Sequence, residues 1–146
     1  MNIQPDFKEL LELLEKNNVE YMIIGGYAVA FHGYPRFTKD IDIFYELSDN
    51  NIKNIINALI DFGFPKQELD KALFANEENI VTFGIEPVRV DFINKIDGVE
   101  FSSAKSSCVR GKYGDIDVLF IGKEHLLANK KATTRLKDKV DLEELS

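Results

Sequence analysis

Ile23-Ile24-Gly25-Gly26, then thirteen residues, then Asp40-Ile41-Asp42, is the stretch on which the reading of this chain turns. An apolar strand running into a glycine pair makes a tight turn whose backbone N–H groups can face a phosphate. A short helix from Gly26 to His32 adds free N–H groups and a positive dipole end. On the strand expected from Asp40 to Tyr45, side chains alternate, so Asp40 and Asp42 share one face while Ile41 and Ile43 face a core. Their Cα atoms lie about 6.6 Å apart at strand rise. Two like charges that close repel unless something positive lies between them. Hard oxygen ligands of this kind suit Mg²⁺ or Mn²⁺. In phosphoryl transfer, two such ions roughly 3.5–4 Å apart activate the attacking oxygen and stabilise the leaving one.

A third carboxylate completes such a site. Val88-Arg89-Val90-Asp91-Phe92-Ile93 supplies Asp91 in the middle of an apolar strand, where a carboxylate is costly without a compensating cation. Arg89 lies on the same strand face, so the competing reading of Asp91 is a simple Arg–Asp pair. Arg36 and Thr38, just ahead of the aspartates, are placed to contact phosphate or to brace the loop. Asp115-Ile116-Asp117 repeats the D-x-D spacing, but it follows Gly114 and has no glycine pair upstream, so it reads as structural. His32 reads as a helix-terminal residue. With His125 far along the chain as the only other histidine, no histidine metal cluster is expected.

At 146 residues the chain is expected to form one domain, residues 1–146, long enough for a hydrophobic core. No apolar run approaches the roughly 20 residues of a membrane helix. The start Met1-Asn2-Ile3-Gln4-Pro5-Asp6 lacks a basic, then apolar, secretory pattern. The single Cys108 cannot form an intrachain disulfide and reads as a small buried apolar residue. A cytoplasmic location is the expectation. The formal charge of −7 argues against a protein that coats nucleic acid non-specifically. A local basic region nevertheless runs through Lys123, Lys130, Lys131, Arg135, Lys137 and Lys139, against Glu124 and Asp138. It suits a polyphosphate, or it is a solvated helix surface.

Periodicity organises the rest. Residues 6–17 form an amphipathic helix capped by Asp6, and residues 49–61 a helix capped by Ser48 or Asp49. A helical turn is expected over 66–73. Strands over 79–83 and 88–93 join through Gly84 to Pro87, and a second hairpin spans 109–113 and 116–121. A short helix or turn covers 101–107, and polar helices cover 124–133 and 137–145. Strands and helices in this order indicate an α+β domain with a mixed sheet and helices packed on it.

Gly25-Gly26-Tyr27-Ala28-Val29, His32-Gly33, and Arg36-Phe37-Thr38-Lys39-Asp40-Ile41-Asp42-Ile43 resemble the polymerase-β-type nucleotidyltransferase superfamily. Leu126-Leu127-Ala128-Asn129-Lys130, Arg135-Leu136-Lys137-Asp138 and Asp141 resemble a segment of small bacterial nucleotidyltransferases similar to the toxin subunits of abortive-infection toxin–antitoxin systems. The resemblance implies a nucleotidyltransferase-like mixed β-sheet flanked by helices, with a short C-terminal helical pair. It implies two Mg²⁺ or Mn²⁺ ions and transfer of a nucleoside monophosphate from an NTP to a hydroxyl acceptor, releasing pyrophosphate. Asp40 and Asp42 would bind both metals. Asp91 would bind the catalytic one and take the nucleophile's proton. Gly25 and Gly26 would hold the triphosphate, Lys130 would meet phosphate, and Asp138 would be the second motif acid. Tyr27 is a departure: many members have Ser there, whose hydroxyl touches the triphosphate, and a tyrosine hydroxyl could not occupy the same place.

The acceptor implied by the toxin-like relatives is tRNA or a protein, with an antitoxin partner or a homodimer. Two rival readings are a small-molecule enzyme of the antibiotic-modifying kind, and a catalytically silent nucleotide-binding or antitoxin-like module. Three retained aspartates argue against the silent module, because a binding-only site has no need of that repulsion.

Overall fold

The computed structural model describes residues 3–34, 39–85, 88–133, 140 and 143–144. Chain order begins with α1 (Pro5–Lys16), β1 (Tyr21–Ile24), α2 (Gly25–Phe31), β2 (Asp40–Tyr45) and α3 (Asp49–Phe62). A 3₁₀ turn (Lys66–Glu68), α4 (Lys71–Ala75), β3 (Ile80–Ile85) and β4 (Val88–Ile93) follow. The described order continues with α5 (Phe101–Lys105), β5 (Val109–Tyr113), β6 (Ile116–Phe120) and α6 (Lys123–Ala132). The expected helix over 137–145 lies largely outside the described residues.

The six strands form one mixed sheet in the order β3-β4-β2-β1-β6-β5. β2 pairs antiparallel with β1 and parallel with β4, so the D-x-D strand sits inside the sheet with a neighbour on each side. Alternation sorts its two faces. Ile41, Ile43 and Tyr45 are buried on one, in a core shared with Phe7, Leu10, Leu11 and Leu14 of α1 and Ile52, Ile55 and Leu59 of α3. Asp40, Asp42 and Phe44 look the other way, where Phe44 meets Phe101 of α5 edge to face. Burying these aliphatic and aromatic side chains drives folding, at about 1.5–3 kcal/mol for each large one.

Local chemistry accounts for the element ends and corrects several expectations. Ser48 caps α3, its hydroxyl accepting from the Asn51 N–H. Asn51 then donates to the carbonyls of Glu20 and Glu46 and accepts from the Glu20 N–H, pinning the start of α3 to the ends of β1 and β2. Asp6 does not cap α1. The helix starts one residue earlier at Pro5, whose fixed φ and missing N–H suit the first turn, and Asp6 lies inside that turn as a favourable dipole charge. The first hairpin is tighter than expected. Gly84 stays in strand register opposite Arg89, and Ile85 pairs with Val88. That register puts Thr82 opposite Asp91. No helix among the described residues is long and apolar enough to cross a membrane.

Candidate active site

The first strand ends where Gly25 takes φ +68°, a left-handed value that L side chains adopt at a cost, and α2 starts there. Directly across, Ile24 pairs with Asp42. An ideal Cβ built on Gly25 would come 2.2 Å from Asp42 Oδ2, so the carboxylate rests on the bare glycine backbone. Only glycine satisfies both the backbone angle and this approach.

The next strand supplies the third acid. The parallel register of β2 and β4 pairs Asp40 with Arg89 and Asp42 with Asp91. Asp91 is 8% exposed. A buried carboxylate is tolerated only with partners. It has three contacts of this kind: Thr82 Oγ1 donates to Oδ1 at 2.7 Å, Arg89 Nε to Oδ1 at 3.2 Å, and Arg89 Nη2 to Oδ2 at 3.2 Å. Arg89 Nη1 also stands 3.9 Å from Asp40 Oδ2. The guanidinium thus lies along the edge shared by Asp40 and Asp91. The Arg–Asp pair of the competing reading is present, and Asp91 stands in register with Asp42 beside it.

Gly25, Asp40, Asp42, Arg89, Asp91 and Lys130 line one cavity of about 780 Å³. Lys130 reaches it from α6 and is 3% exposed, whereas Lys131, the next residue round the helix, is exposed. Asn129 Nδ2 donates to the Asp97 carbonyl, fastening α6 to the turn after β4. In that turn Gly98 takes φ +75°, and a Cβ there would lie 2.8 Å from the Ala132 Cβ and 3.1 Å from the Ala128 carbonyl oxygen. The glycine lets the turn lie flat on the helix that carries Lys130. No sequence signal singled out Thr82 or Gly98, and Asn129 entered only as part of the family-like segment, without a role. Thr82 needed the hairpin register, and the other two needed the packing of a turn on a helix distant in sequence.

Arg36, Thr38 and Asp138 lie outside the described residues. Gly26 is buried inside α2. Tyr27 does not line this cavity. It is 2% exposed and packs edge to face against Phe7 and Tyr113. Burial, and then the neighbouring Tyr113, push its phenol far above the usual range, so it stays protonated as a core residue. The helix that serine would have led is here anchored from below by an aromatic ring.

The remaining motif residues are structural. His32 Nε2 meets the Ile121 carbonyl at 2.7 Å at the end of α2. Asp115 pairs with Lys8 at 2.6 Å and Asp117 with Lys112 at 2.8 Å, all on the surface. Cys108 is half-buried, with its thiol donating to the Lys105 carbonyl.

Among the described residues, no three His, Cys, Asp or Glu side chains stand gathered as a ready metal site. The donor set nevertheless fits a divalent cation. It consists of hard carboxylate oxygens on adjacent strands, and two of the three carboxylates already share a cation in the form of the Arg89 guanidinium.

The six-stranded mixed sheet flanked by helices, with a glycine-ended strand beside a strand bearing two aspartates, matches the nucleotidyltransferase-like fold that the sequence resemblance implied. The chain belongs to the family described as nucleotidyltransferase of unknown function (DUF6036), which it matches over residues 3–146. Among solved structures it is similar to the lincosamide antibiotic adenylyltransferase LnuA in its lincomycin-bound form. That likeness has 19% identity and a TM-score of 0.57, and covers 99% of this chain and 98% of the other. It is also similar to TM1012 of Thermotoga maritima, a candidate nucleotidyltransferase, at 15% identity and a TM-score of 0.61, covering 99% of this chain and 92% of the other. No protein of curated function matches the sequence.

Proposed function

We propose that this chain is a divalent-metal-dependent nucleotidyltransferase that moves a nucleoside monophosphate from an NTP to a hydroxyl acceptor. The observation that carries the reading is the single cavity lined by Gly25, Asp40, Asp42, Asp91 and Lys130. In the reaction the acceptor oxygen bonds to the α-phosphorus, the α–β bridge bond breaks, and pyrophosphate leaves. The acceptor's proton goes to Asp91, held in place by Thr82. Asp40 and Asp42 would hold both ions and Asp91 one of them, supplying charge neutralisation and a polarised phosphate. The backbone at Gly25, which lines the cavity, takes the triphosphate, with Gly26, Arg36, Thr38 and Asp138 assigned to its binding by the family resemblance.

Lys130 faces the triphosphate for an electrostatic reason. An NTP brings about four negative charges to three carboxylates, and two divalent ions leave the assembly net negative. Lys130→Ala should weaken NTP binding by about tenfold or more, the loss expected for a charge-assisted contact. Lys131→Ala should leave it within about twofold. Isothermal titration with a non-hydrolysable NTP compares them. Equal small effects would leave Lys130 as a buried structural residue of α6.

A second observation bears on the acceptor. A further cavity of about 630 Å³ adjoins the first, sharing Lys95, Ile96 and Asp97 with it. Glu46, Glu77, Asp97 and Glu100 line it, and its one lysine, Lys95, is engaged by Glu77 and Glu78. An acid-walled space repels a polyanion such as tRNA and suits a small hydroxyl compound that carries an amine. This favours the small-molecule reading over a tRNA- or protein-directed toxin. LnuA, named as acting on a lincosamide antibiotic, is a fold relative consistent with it. The test is incubation of each α-labelled NTP and Mg²⁺ with amine-bearing hydroxyl compounds, total RNA and cell extract. Label should enter the small compounds. Label entering RNA or protein instead would restore the toxin-like acceptor. Label entering nothing, with nucleotide bound, would leave the silent module.

A further inference from the structure

We infer that Arg89 is the built-in counter-cation of the carboxylate site, holding the edge of Asp91 that a divalent ion needs and giving it up when the ion binds. This rests on the nucleotidyl-transfer reading and deepens it, because it makes Arg89 the residue that sets metal affinity.

The first argument is oxygen capacity. A carboxylate oxygen has two lone pairs. On Asp91, Oδ1 accepts from both Thr82 and Arg89 Nε, and Oδ2 accepts from Arg89 Nη2. While the guanidinium stays, Asp91 cannot offer Oδ1 to a metal or chelate one through both oxygens, and only one lone pair of Oδ2 is left. The Nη1 contact near Asp40 puts the same positive charge against a second ligand.

The second argument decides which partner moves. The Asp91 side chain is 11% exposed and tied by Thr82 to the neighbouring strand, so it is held. The Arg89 side chain is 40% exposed and lies at the cavity wall. Its two bonds to Asp91, at 3.2 Å, exceed the roughly 2.7–2.9 Å of strong charge-assisted pairs. A long, half-exposed side chain in loose bonds exchanges more readily than a short buried one. Without such a cation, Asp40, Asp42 and Asp91 would repel one another in the nucleotide-free protein. With the ion bound, the released guanidinium stays beside the cavity, where its planar fork suits an incoming phosphate.

The inference predicts opposite effects on two ligands. In the full, nucleotide-free chain, Mn²⁺ binding read by electron paramagnetic resonance of the free ion should tighten about tenfold in Arg89→Gln, the size of one charge-assisted contact removed. Arg89→Lys, which keeps the charge but not the fork, should tighten it less. Binding of inorganic triphosphate with Mn²⁺ present should weaken in Arg89→Gln. Lys95→Gln removes another positive charge from the same cavity wall and should change Mn²⁺ affinity by less than twofold. Thermal melting confirms that each variant is folded. Unchanged or weaker Mn²⁺ binding in folded Arg89→Gln or Arg89→Lys would overturn the inference alone, as would an equal gain in Lys95→Gln. Absence of Mn²⁺ binding in every form, wild type included, would overturn the nucleotidyl-transfer reading as well.

Discussion

Asp42→Asn should lower nucleotidyl transfer by about 10³-fold, roughly 4 kcal/mol of transition-state stabilisation, while leaving the fold in place. Asp42 is the acid at the centre of the arrangement. It rests on the Gly25 backbone, pairs in register with Asp91 and lines the cavity with Asp40. Asparagine keeps the shape but halves the oxygen ligands and removes the charge. The packing of β2 is carried by Ile41, Ile43 and Tyr45 on the opposite face, so the melting temperature should hold or rise slightly as repulsion falls. Steady-state transfer and thermal melting on one preparation check both parts. Transfer within tenfold of wild type would remove Asp42 from the machinery.

The second large effect belongs to a residue without a side chain. Gly25→Ala should destabilise the protein by about 2 kcal/mol or more and strip most of its NTP affinity. About 1–2 kcal/mol of that comes from a left-handed φ imposed on an L residue. The remainder comes from a Cβ arriving 2.2 Å from Asp42 Oδ2, which forces the carboxylate or the turn to move. The two causes can be separated. With Asp42→Ala, the atom left nearest is the Cβ at 3.4 Å, an ordinary contact. The double variant Gly25→Ala with Asp42→Ala should therefore lose less stability than the sum of the singles, by about 1 kcal/mol in a denaturant-melt cycle. Strict additivity would mean that the crowding is absorbed elsewhere.

The parts of the site legible in the sequence were those written in local periodicity. Alternation put Asp40 and Asp42 on one face, the apolar run Ile23-Ile24 ended at a glycine turn, and Asp91 stood out as a carboxylate inside an apolar strand. The mixed α+β fold followed from the same pattern. What was not legible depends on pairing between distant segments. Periodicity does not tell β2 that its parallel neighbour is β4, yet that register sets Arg89 beside Asp40. Thr82 became a partner of Asp91 only because β3 runs two residues further than its glycine suggested. Tyr27 stood out in the sequence as a departure whose hydroxyl could not stand in for a phosphate-touching serine, but its place in the core against Phe7 and Tyr113 depends on the packing of distant segments. The acid-walled second cavity draws its lining from the end of β2 and the residues after it, Glu77 between α4 and β3, the segment between β4 and α5, and α5, and is invisible in any one of them.

The turn at Gly98 has a consequence for how such an enzyme could acquire a new substrate. The segment from Lys95 to Asp97 is a party wall between two rooms, and Gly98 and Asn129 bolt it to the helix bearing Lys130. Lengthening or exchanging this wall would tug the lysine of the neighbouring cavity with it. On the proposed reading, changes of acceptor should therefore arise first from a side chain on another segment, such as Glu46 after β2, where a swap alters the charge of the space without disturbing the wall itself.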